Sequence, residues 1–256
     1  MTSDFGLKDP YAAEMKAAIL GICSDAVIVD VTHLVDKFNV RAGAFSLASA
    51  APYFPNGTVH VAVVDPGVGS QRRPIAIETE HGFFVGPDNG LLILAAESQG
   101  ITRIHEIVSR RLMLTHVSST FHGRDIFAPA AAHLANGVPL EEFGSQITDF
   151  VKPQFTVVAR SKDALVGEVL HVDDFGNIIT NISAKDVATL KDGIVQAELP
   201  SASVQMRLHR EYSDAKPQEP LALIGSHNFV EIALNQGNAA LKFLAKAGDK
   251  ITISRT

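Results

Sequence analysis

The chain has 256 residues, of which 46% are hydrophobic and 20% are charged, and its net charge is −6. This composition excludes disordered and collagen-like proteins, and it leaves enough apolar surface for a core without disulfides. The basic residues are no denser than two arginine pairs, which argues against a nucleic-acid-binding protein. The single cysteine, Cys23, fits a reducing compartment, and the sequence has neither a secretory signal nor an apolar run of the ~20 residues that span a membrane. We therefore expect a cytoplasmic protein that binds small molecules and copies of itself, and neither nucleic acid nor membrane.

The first half of the chain alternates helix-like and strand-like patterns. Apolar residues at helical spacing predict helices, and short β-branched runs predict buried strands. In chain order, the predicted elements are a helix at 11–22, a strand at 26–31, a helix at 40–53, strands at 59–64, 75–79 and 83–85, and helices at 90–98 and 126–135. Strands that alternate with helices are typical of an α/β domain with a mostly parallel sheet between helices.

The second half has a different pattern, with short strands between turn signals. The predicted strands are 167–172, 176–181, 194–199, 203–208, 221–224, 230–234 and 251–254, with helices at 184–190 and 239–244. This pattern predicts a smaller antiparallel β-barrel or sandwich. The helical alternation stops around 148–162, where Lys152-Pro153 is typical of a linker. We place an N-terminal α/β domain at 1–155 and a C-terminal β domain at 156–256.

A glycine-rich loop follows one of the predicted strands. Asp65 comes directly after strand 59–64, and the residues Pro-Gly-Val-Gly-Ser-Gln separate it from Arg72 and Arg73. Ligands of α/β sheets bind beyond the carboxyl ends of strands, but this glycine spacing matches neither a Walker loop nor a Rossmann fingerprint. By spacing alone, a functional turn and a purely structural one both remain open. Asp30 also ends a predicted strand, and there we favour a capping role.

A second polar cluster precedes the predicted helix at 126–135. In isolation, Asp125 is compatible with a helix N-cap, and Arg124 with a surface ion pair. His122 is compatible with a donor or base near neutral pH, and equally with a solvated loop histidine. The histidines show no spacing typical of metal ligands, so we expect no metal site.

Three polar segments of the second half are turn sequences in isolation. They are 173–177, 225–229 and 235–238, with acidic residues, Gly and Asn where turns favour them. Asn238 is a candidate N-cap for the last predicted helix.

Taken together, six motifs follow one another along the whole chain. They are Thr-Ser-Asp-Phe-Gly (2–6) with Asp-Pro-Tyr (9–11), Val-Asp-Val-Thr-His (29–33), Val-Asp-Pro-Gly-Val-Gly (64–69), Ser-Thr-Phe-His-Gly-Arg-Asp (119–125), Asp-Asp-Phe-Gly-Asn (173–177), and Gly-Ser-His (225–227) with Glu-Ile-Ala (231–233). In this order they resemble the S-adenosylmethionine (SAM) hydroxide adenosyltransferases, the adenosine-forming SAM hydrolases related to the fluorinase and chlorinase.

The resemblance implies an N-terminal α/β domain, a C-terminal β domain and a homotrimer. It implies that SAM lies between the N-terminal domain of one subunit and the C-terminal domain of its neighbour. The implied reaction is attack of water or hydroxide on ribose C5′, which releases adenosine and L-methionine, with SAM as substrate and no cofactor. The implied catalytic trio is Asp65, Arg72 and His122, where Arg72 is chosen over Arg73 because it lies seven residues after Asp65.

Nine further residues are implied to bind SAM. By the part of SAM that they would contact, they are Asp4 and Phe38 at the ribose, Asp9 and Asp173 at the methionine ammonium, Ser226 and the backbone of His227 at the methionine carboxylate, Asn177 at the adenine edge, and Phe175 or Phe229 against the adenine ring.

Two alternatives to the hydrolase are a SAM-dependent halogenase and a non-catalytic SAM or adenosine sensor. Asp65 stands where the fluorinase pattern has an aromatic residue, and Gly123 where it has a hydroxyl that helps to bind fluoride. A buried carboxylate beside the nucleophile repels a halide, which favours hydrolysis. The intact trio argues against a sensor. Because the sulfonium of SAM is already a good leaving group, we expect the reaction to need no metal.

Overall fold

The change of pattern along the sequence corresponds to two compact units, Met1–Lys152 and Pro153–Thr256. The structure is a computed structural model that describes residues 1–188 and 193–255. Among these residues, no helix is both long and apolar enough to cross a membrane.

The first unit is built on a mixed sheet with helices. Its strands and helices are β1 (Thr2–Ser3), α1 (Tyr11–Ile22), α2 (Val40–Ala50), β2 (Thr58–Val63), β3 (Pro74–Thr79), β4 (Gly82–Pro87), α3 (Ile93–Ser98), β5 (Ile101–Glu106) and α4 (Ala128–Ala135). Short 3-10 turns at Ala51–Tyr53, Arg110–Leu112 and Leu140–Glu142 and a π-helical turn at Gly123–Phe127 complete it.

The strand order of this sheet is β1-β2-β4-β3-β5. The pairs β1–β2 and β2–β4 are parallel, whereas β3 pairs antiparallel with both β4 and β5. The prediction of a mostly parallel sheet is therefore matched only in part. The reason is the short connection from β3 to β4, because a parallel crossover needs a dozen or more residues.

The predicted helix at 11–22 is confirmed as α1, but the predicted buried strand at 26–31 is wrong. That segment forms no strand, and Val27 is 91% exposed. It runs beside β1, where the Val31 N–H donates to the Met1 carbonyl at 2.8 Å. The β-branched run predicted burial, but only Ala26 and Ile28 pack partly buried against the core, and Val27 and Val29 are exposed.

One core cluster of the first unit lies between the sheet, α1 and the segment that leads into α4. Met15 of α1 packs in one cluster with Val63 of β2, Val85 of β4 and Phe127 at the end of the π-helical turn. Because α4 packs against β2, the residues before α4 come close to the residues that follow β2. This packing brings the two polar clusters of the first half together.

The second unit contains a closed barrel. Its elements are β6 (Ala159–Arg160), β7 (Ala164–Val172), β8 (Ile178–Ser183), α5 (Ala184–Val187), β9 (Ile194–Leu199), β10 (Ala202–His209), β11 (Pro220–Ile224), β12 (Phe229–Leu234), α6 (Ala239–Phe243) and β13 (Lys250–Arg255), with 3-10 turns at Gln154–Thr156 and Tyr212–Asp214.

Among the described residues of this unit, seven strands close in the order β13-β9-β10-β11-β12-β8-β7, because β13 also pairs with β7. The pairs are antiparallel except β10–β11, which is parallel. The side chains of Leu165, Ile178, Ile232, Phe243 and Ile253 fill the interior. Asn238 caps α6 as expected, accepting from the Leu241 N–H at 2.7 Å. The predicted helix at 184–190 begins as α5, and its residues 189 and 190 lie outside the described residues.

Candidate active site

Asp65, Arg72 and His122 form one hydrogen-bonded chain in the first unit. Arg72 Nε donates to Asp65 Oδ1 at 3.0 Å and to Oδ2 at 2.9 Å, and Arg72 Nη2 also donates to Oδ2. The same Nη2 lies 2.8 Å from His122 Nδ1. The side chains of Arg72 and Asp65 are only 9% and 5% exposed. The pairing is therefore shielded from water. A charge-assisted hydrogen bond is stronger in such an interior than in water.

Arg73 has a different role from its neighbour. It donates to the buried Asp88 through Nη2 at 2.8 Å, and to the Asp149 side chain and carbonyl at 2.9 and 2.7 Å. Asp88 Oδ1 in turn accepts from the Val151 N–H at 2.8 Å. Arg73 therefore fastens the end of the first unit, whereas Arg72 faces Asp65.

A close backbone contact holds the two loops of the trio together. Gly69 has φ +75°, and a Cβ atom at this position would lie 2.3 Å from the Ser119 carbonyl oxygen. Gly69 can adopt this left-handed conformation because it has no Cβ. The Arg72 guanidinium also lies 5.1 Å from the centre of the Phe127 ring. The loop after β2 is thus packed against the segment that carries His122.

The contact with Arg72 fixes the tautomer of His122. A guanidinium only donates hydrogen bonds, so His122 Nδ1 must accept, and a neutral ring then carries its proton on Nε2. Burial and the neighbouring Arg72 lower the pKa of His122, against the opposing charges of Asp65 and Asp125. The neutral form is therefore favoured at neutral pH.

The trio also contains a buried donor. Arg72 Nη1 is buried and has no hydrogen-bond partner among the described residues. Such an unpaired N–H is costly unless a ligand or water accepts from it. Together with His122 Nε2–H, it gives the trio two donors for an oxygen.

Asp125 lies inside the π-helical turn that follows His122, and it is not a simple cap. It is completely buried and accepts from the Ser118 N–H at 2.8 Å and from Arg124 Nε at 2.6 Å. Arg124 also pairs with Glu14 of α1 at 2.7 Å. These bonds fix the backbone on both sides of His122.

Of the other predicted residues in this unit, Asp4 and Phe38 are joined by a hydrogen bond, and Asp9 lies before the first helix. Asp4 is 7% exposed, and its Oδ2 accepts from the Phe38 N–H at 2.9 Å. Phe38 has φ 64° and a side chain that is largely exposed. Asp9 is exposed and directly precedes Pro10, the N-cap residue of α1.

The predicted residues of the second unit lie on two of its turns. In the turn between β7 and β8, Asp173 Oδ1 accepts from the N–H groups of Phe175 and Asn177 at 3.0 and 2.8 Å. The Asn177 amide donates to Asp173 Oδ2 at 2.9 Å, and Phe175 is 79% exposed.

Of the other three predicted residues, Ser226 and His227 lie in the turn between β11 and β12, and Phe229 is the first residue of β12. The Gly225 N–H donates to the Phe229 carbonyl at 2.9 Å, which closes this turn. The rings of His227 and Phe229 are 6.1 Å apart. Burial lowers the pKa of His227.

One feature of the structure went unassigned in the sequence, and one assignment was wrong. Glu231 is 3% exposed in the otherwise apolar strand β12, accepts from the Tyr212 hydroxyl, and lies 3.6 Å from His227 Nε2. A single charged residue within an apolar run was the sequence feature that could have identified Glu231. Asp30 does not cap a helix or turn, since it binds Lys16 at 2.5 Å and His33 at 3.0 Å, and Asn39 caps α2 instead.

Metal-ligand geometry is absent from the described residues. Within 1–188 and 193–255, no three His, Cys, Asp or Glu side chains are arranged to hold a metal ion.

Comparison with known proteins shows the family of the chain. The model of the SAM hydroxide adenosyltransferase N-terminal domain matches residues 1–144, and that of the C-terminal domain matches residues 167–252. The chain belongs to the SAM hydroxide adenosyltransferase family. The trio lies within the part that matches the N-terminal domain, and the turns with Asp173 and Ser226 lie within the part that matches the C-terminal domain.

Relatives of this chain carry two kinds of name. A protein of Salinispora tropica named (R)-S-adenosyl-L-methionine hydrolase is 39% identical over 256 residues, 99% of this chain and 96% of its own. One of the same name from Methanocaldococcus jannaschii is 37% identical over 94% of this chain and 89% of its own. A fluorinase of Actinopolyspora mzabensis is 28% identical over 99% of this chain and 96% of its own. A solved structure of a conserved Thermotoga maritima protein superposes with a TM-score of 0.87 at 38% identity, covering 99% and 98% of the two chains.

Proposed function

We propose that this protein is an enzyme that hydrolyses SAM to adenosine and L-methionine. The oxygen of water or hydroxide forms a bond to ribose C5′ while the C5′–S bond breaks. The bonding electrons pass to the sulfonium sulfur, which becomes the neutral thioether of methionine, and one proton leaves with the solvent. The names of the relatives at 37–39% identity over nearly the full chain support this reaction.

The hydrogen-bonded chain of Asp65, Arg72 and His122 is the observation that carries the proposal. The leaving group needs no acid, so the difficulty lies in the nucleophile, because bulk water is a very weak acid and contains little hydroxide at neutral pH. The buried Arg72 Nη1 and His122 Nε2–H are donors, which stabilise hydroxide character on an oxygen. Asp65 supplies the negative charge that orients Arg72. Holding the oxygen in line with C5′–S supplies further rate enhancement.

The remaining predicted residues are proposed to bind the rest of SAM. In this proposal the domain at 1–155 supplies the trio and the ribose contacts of Asp4, with Phe38 beside the ribose and Asp9 near the ammonium. The domain at 156–256 supplies the adenine and methionine contacts, from Asp173, Phe175, Asn177, Ser226, His227 and Phe229. The active protein is a homotrimer in which neighbouring subunits complete each site.

Hydrolysis is favoured over halogenation by the residues around the nucleophile. The buried carboxylate of Asp65 repels a halide ion. At Gly123, a Cβ atom would meet Phe121 at 3.1 Å, Met15 at 3.2 Å and Phe5 at 3.3 Å, so a halide-binding hydroxyl has little room there. The fluorinase relative is also less similar, at 28% identity.

We further propose that the enzyme is cytoplasmic, works without a metal or cofactor, and binds neither nucleic acid nor membrane. The acidic charge of −6 and the single cysteine support this setting. The sulfonium leaving group makes a Lewis acid unnecessary for departure of methionine.

The test is to incubate the protein with SAM and follow the products by chromatography, with and without EDTA. We expect adenosine and methionine in equal amounts in both samples, and none above background with heat-inactivated protein. Release of 5′-halo-5′-deoxyadenosine in chloride or fluoride buffer would indicate the halogenase. Binding of SAM with no product from a folded protein would indicate a sensor.

A further inference from the structure

We propose that His33 is a positioning residue for Asp4, because it links Ser3, directly before Asp4, to Asp30 through a hydrogen-bonded chain in which Ser3 and His33 are buried. The inference rests on the proposed function, in which the Asp4 carboxylate binds the ribose hydroxyls of SAM. None of these three linking residues belongs to the trio, and none is in the set predicted to contact substrate.

The hydrogen bonds of this chain run in one direction. Asp30 accepts from Lys16 Nζ at 2.5 Å and from His33 Nε2 at 3.0 Å. Burial alone would raise the pKa of Asp30, but these hydrogen bonds lower it overall. The carboxylate is therefore ionised, and His33 Nε2 carries the proton of their hydrogen bond. In the neutral ring His33 Nδ1 is then an acceptor, and the Ser3 hydroxyl donates to it at 2.6 Å.

This direction leaves the Ser3 oxygen free to accept from the backbone on the far side of Asp4. The Phe5 N–H donates to Ser3 Oγ at 3.3 Å. Ser3 is 1% exposed and His33 is 3% exposed, so water cannot replace these bonds without opening the core. The Ser3 side chain therefore fixes the backbone immediately before and after Asp4.

The backbone of the His33 loop strengthens the same arrangement. The Gly6 N–H donates to the His33 carbonyl at 2.7 Å, and the Ser3 N–H donates to the Thr32 carbonyl at 2.9 Å. Further along this loop, the Phe38 N–H binds the Asp4 carboxylate itself at 2.9 Å. Removal of the imidazole would release the loop and the Asp4 segment together. A carboxylate must be held within about 0.5 Å to bind two ribose hydroxyls at once, so its selectivity depends on this support.

The experiment compares two nucleosides that differ only at the ribose hydroxyls. Dissociation constants for adenosine and 2′,3′-dideoxyadenosine are measured by titration calorimetry on the full chain. We expect the wild type to favour adenosine by about 10- to 100-fold, the range for hydrogen bonds to a charged group. His33→Ala and Ser3→Ala should reduce this preference to about threefold or less, with little change for the dideoxy nucleoside. His33→Asn should recover most of it, because its amide oxygen replaces Nδ1 as the acceptor for Ser3.

His60→Ala is the matched control. His60 is also a buried imidazole of the first unit, 5% exposed, and it stacks on Phe84 with ring centres 4.9 Å apart. Its loss should lower stability and leave the adenosine preference intact.

The possible outcomes distinguish the positioning role of His33, the assignment of Asp4 to the ribose, and the proposed function. A wild-type preference that survives in both His33→Ala and Ser3→Ala overturns the positioning role alone, and if His33→Ala does not fold, Ser3→Ala decides. Adenosine binding without a preference in the wild type overturns the Asp4 assignment and the positioning role while SAM hydrolysis stands. A wild type that binds neither nucleoside and forms no adenosine from SAM overturns the proposed function itself.

Discussion

In the first unit the candidate site is held by contacts between distant parts of the chain, whereas in the second unit it is held by turns. Arg72 and His122 are hydrogen-bonded across 50 residues of sequence, and both Arg72 and Asp65 are nearly buried. Among the described residues, the side-chain hydrogen bonds of Asp173 reach no further than Asn177, four residues away, and Phe175 is 79% exposed. The difference teaches that the groups proposed for chemistry are fixed by the core, while the binding groups proposed in the second unit sit on local turns.

The largest effect is expected when the two-pronged guanidinium of Arg72 is replaced. Arg72→Lys keeps the charge but cannot make the two-pronged contact with Asp65 or retain the buried Nη1 donor. We expect turnover of SAM to fall about 10²- to 10³-fold, with a much smaller change in SAM affinity. Steady-state kinetics together with calorimetry on SAM would measure both.

Arg73→Lys is the matched control for this change. Its partners are Asp88 and Asp149, away from the trio, so we expect lower thermal stability and turnover within about threefold of wild type. Equal losses of turnover in the two variants would show that the choice between the arginines is wrong.

The next effect comes from separating the two loops without touching a trio residue. A Cβ at position 69 would overlap the Ser119 carbonyl at 2.3 Å, so Gly69→Ala should move Arg72 away from His122. Misplacement of about 1 Å costs up to about 100-fold in rate, and we expect turnover to fall between about 10- and 100-fold.

Gly57→Ala separates backbone strain from loop displacement. Gly57 has a similar φ of +84°, but a Cβ there would have no atom within 4 Å. We expect it to lower the melting temperature and preserve turnover. A similar loss of turnover in both variants would contradict the role given to the loop contact.

A change in the second unit should act on binding rather than on rate. Asp173→Ala removes the carboxylate proposed to pair with the methionine ammonium, and we expect KM for SAM to rise about tenfold or more with a small change in kcat. The control is the exposed neighbour, Asp174→Ala, for which KM should stay near that of wild type. If Asp173→Ala lowered kcat and left KM unchanged, the proposed division between a catalytic first unit and a binding second unit would be wrong.

The pH dependence gives the smallest effect. Since burial and Arg72 lower the pKa of His122, its neutral ring persists below the ordinary value of 6.5. Protonation would place an N–H against the Arg72 guanidinium and break the chain. We expect kcat to stay level as the pH falls to 6.5 and to drop only below the lowered pKa. A kcat profile that already falls with a midpoint at or above 6.5 would contradict this tautomer.

The sequence predicted individual elements better than their pairing. Apolar spacing located α1, and the turn signals located the strands of the barrel, because these features are local. The mixed direction of the first sheet depends on the short link between β3 and β4, and β5 was missed because Thr102, Arg103 and His105 interrupt its apolar pattern. Barrel closure by β13 and β7 is a long-range pairing that no local pattern encodes.

The same limit applies to the site. Spacing alone did not decide whether the loop of Asp65 is functional or purely structural. Only the fold places this loop beside His122. Asp30 shows the converse error, because a residue that looked like a cap pairs with Lys16 and His33. Side chains whose partners lie on distant elements cannot be assigned from local context.

The most direct test of the account is the origin of the 5′-oxygen of adenosine. SAM is turned over in water enriched in ¹⁸O, and the adenosine is analysed by mass spectrometry with fragments that report the ribose 5′ position. Attack of solvent on C5′ predicts one ¹⁸O at that position for each methionine released. Unlabelled adenosine, or a 5′-halogenated nucleoside in its place, would contradict the account.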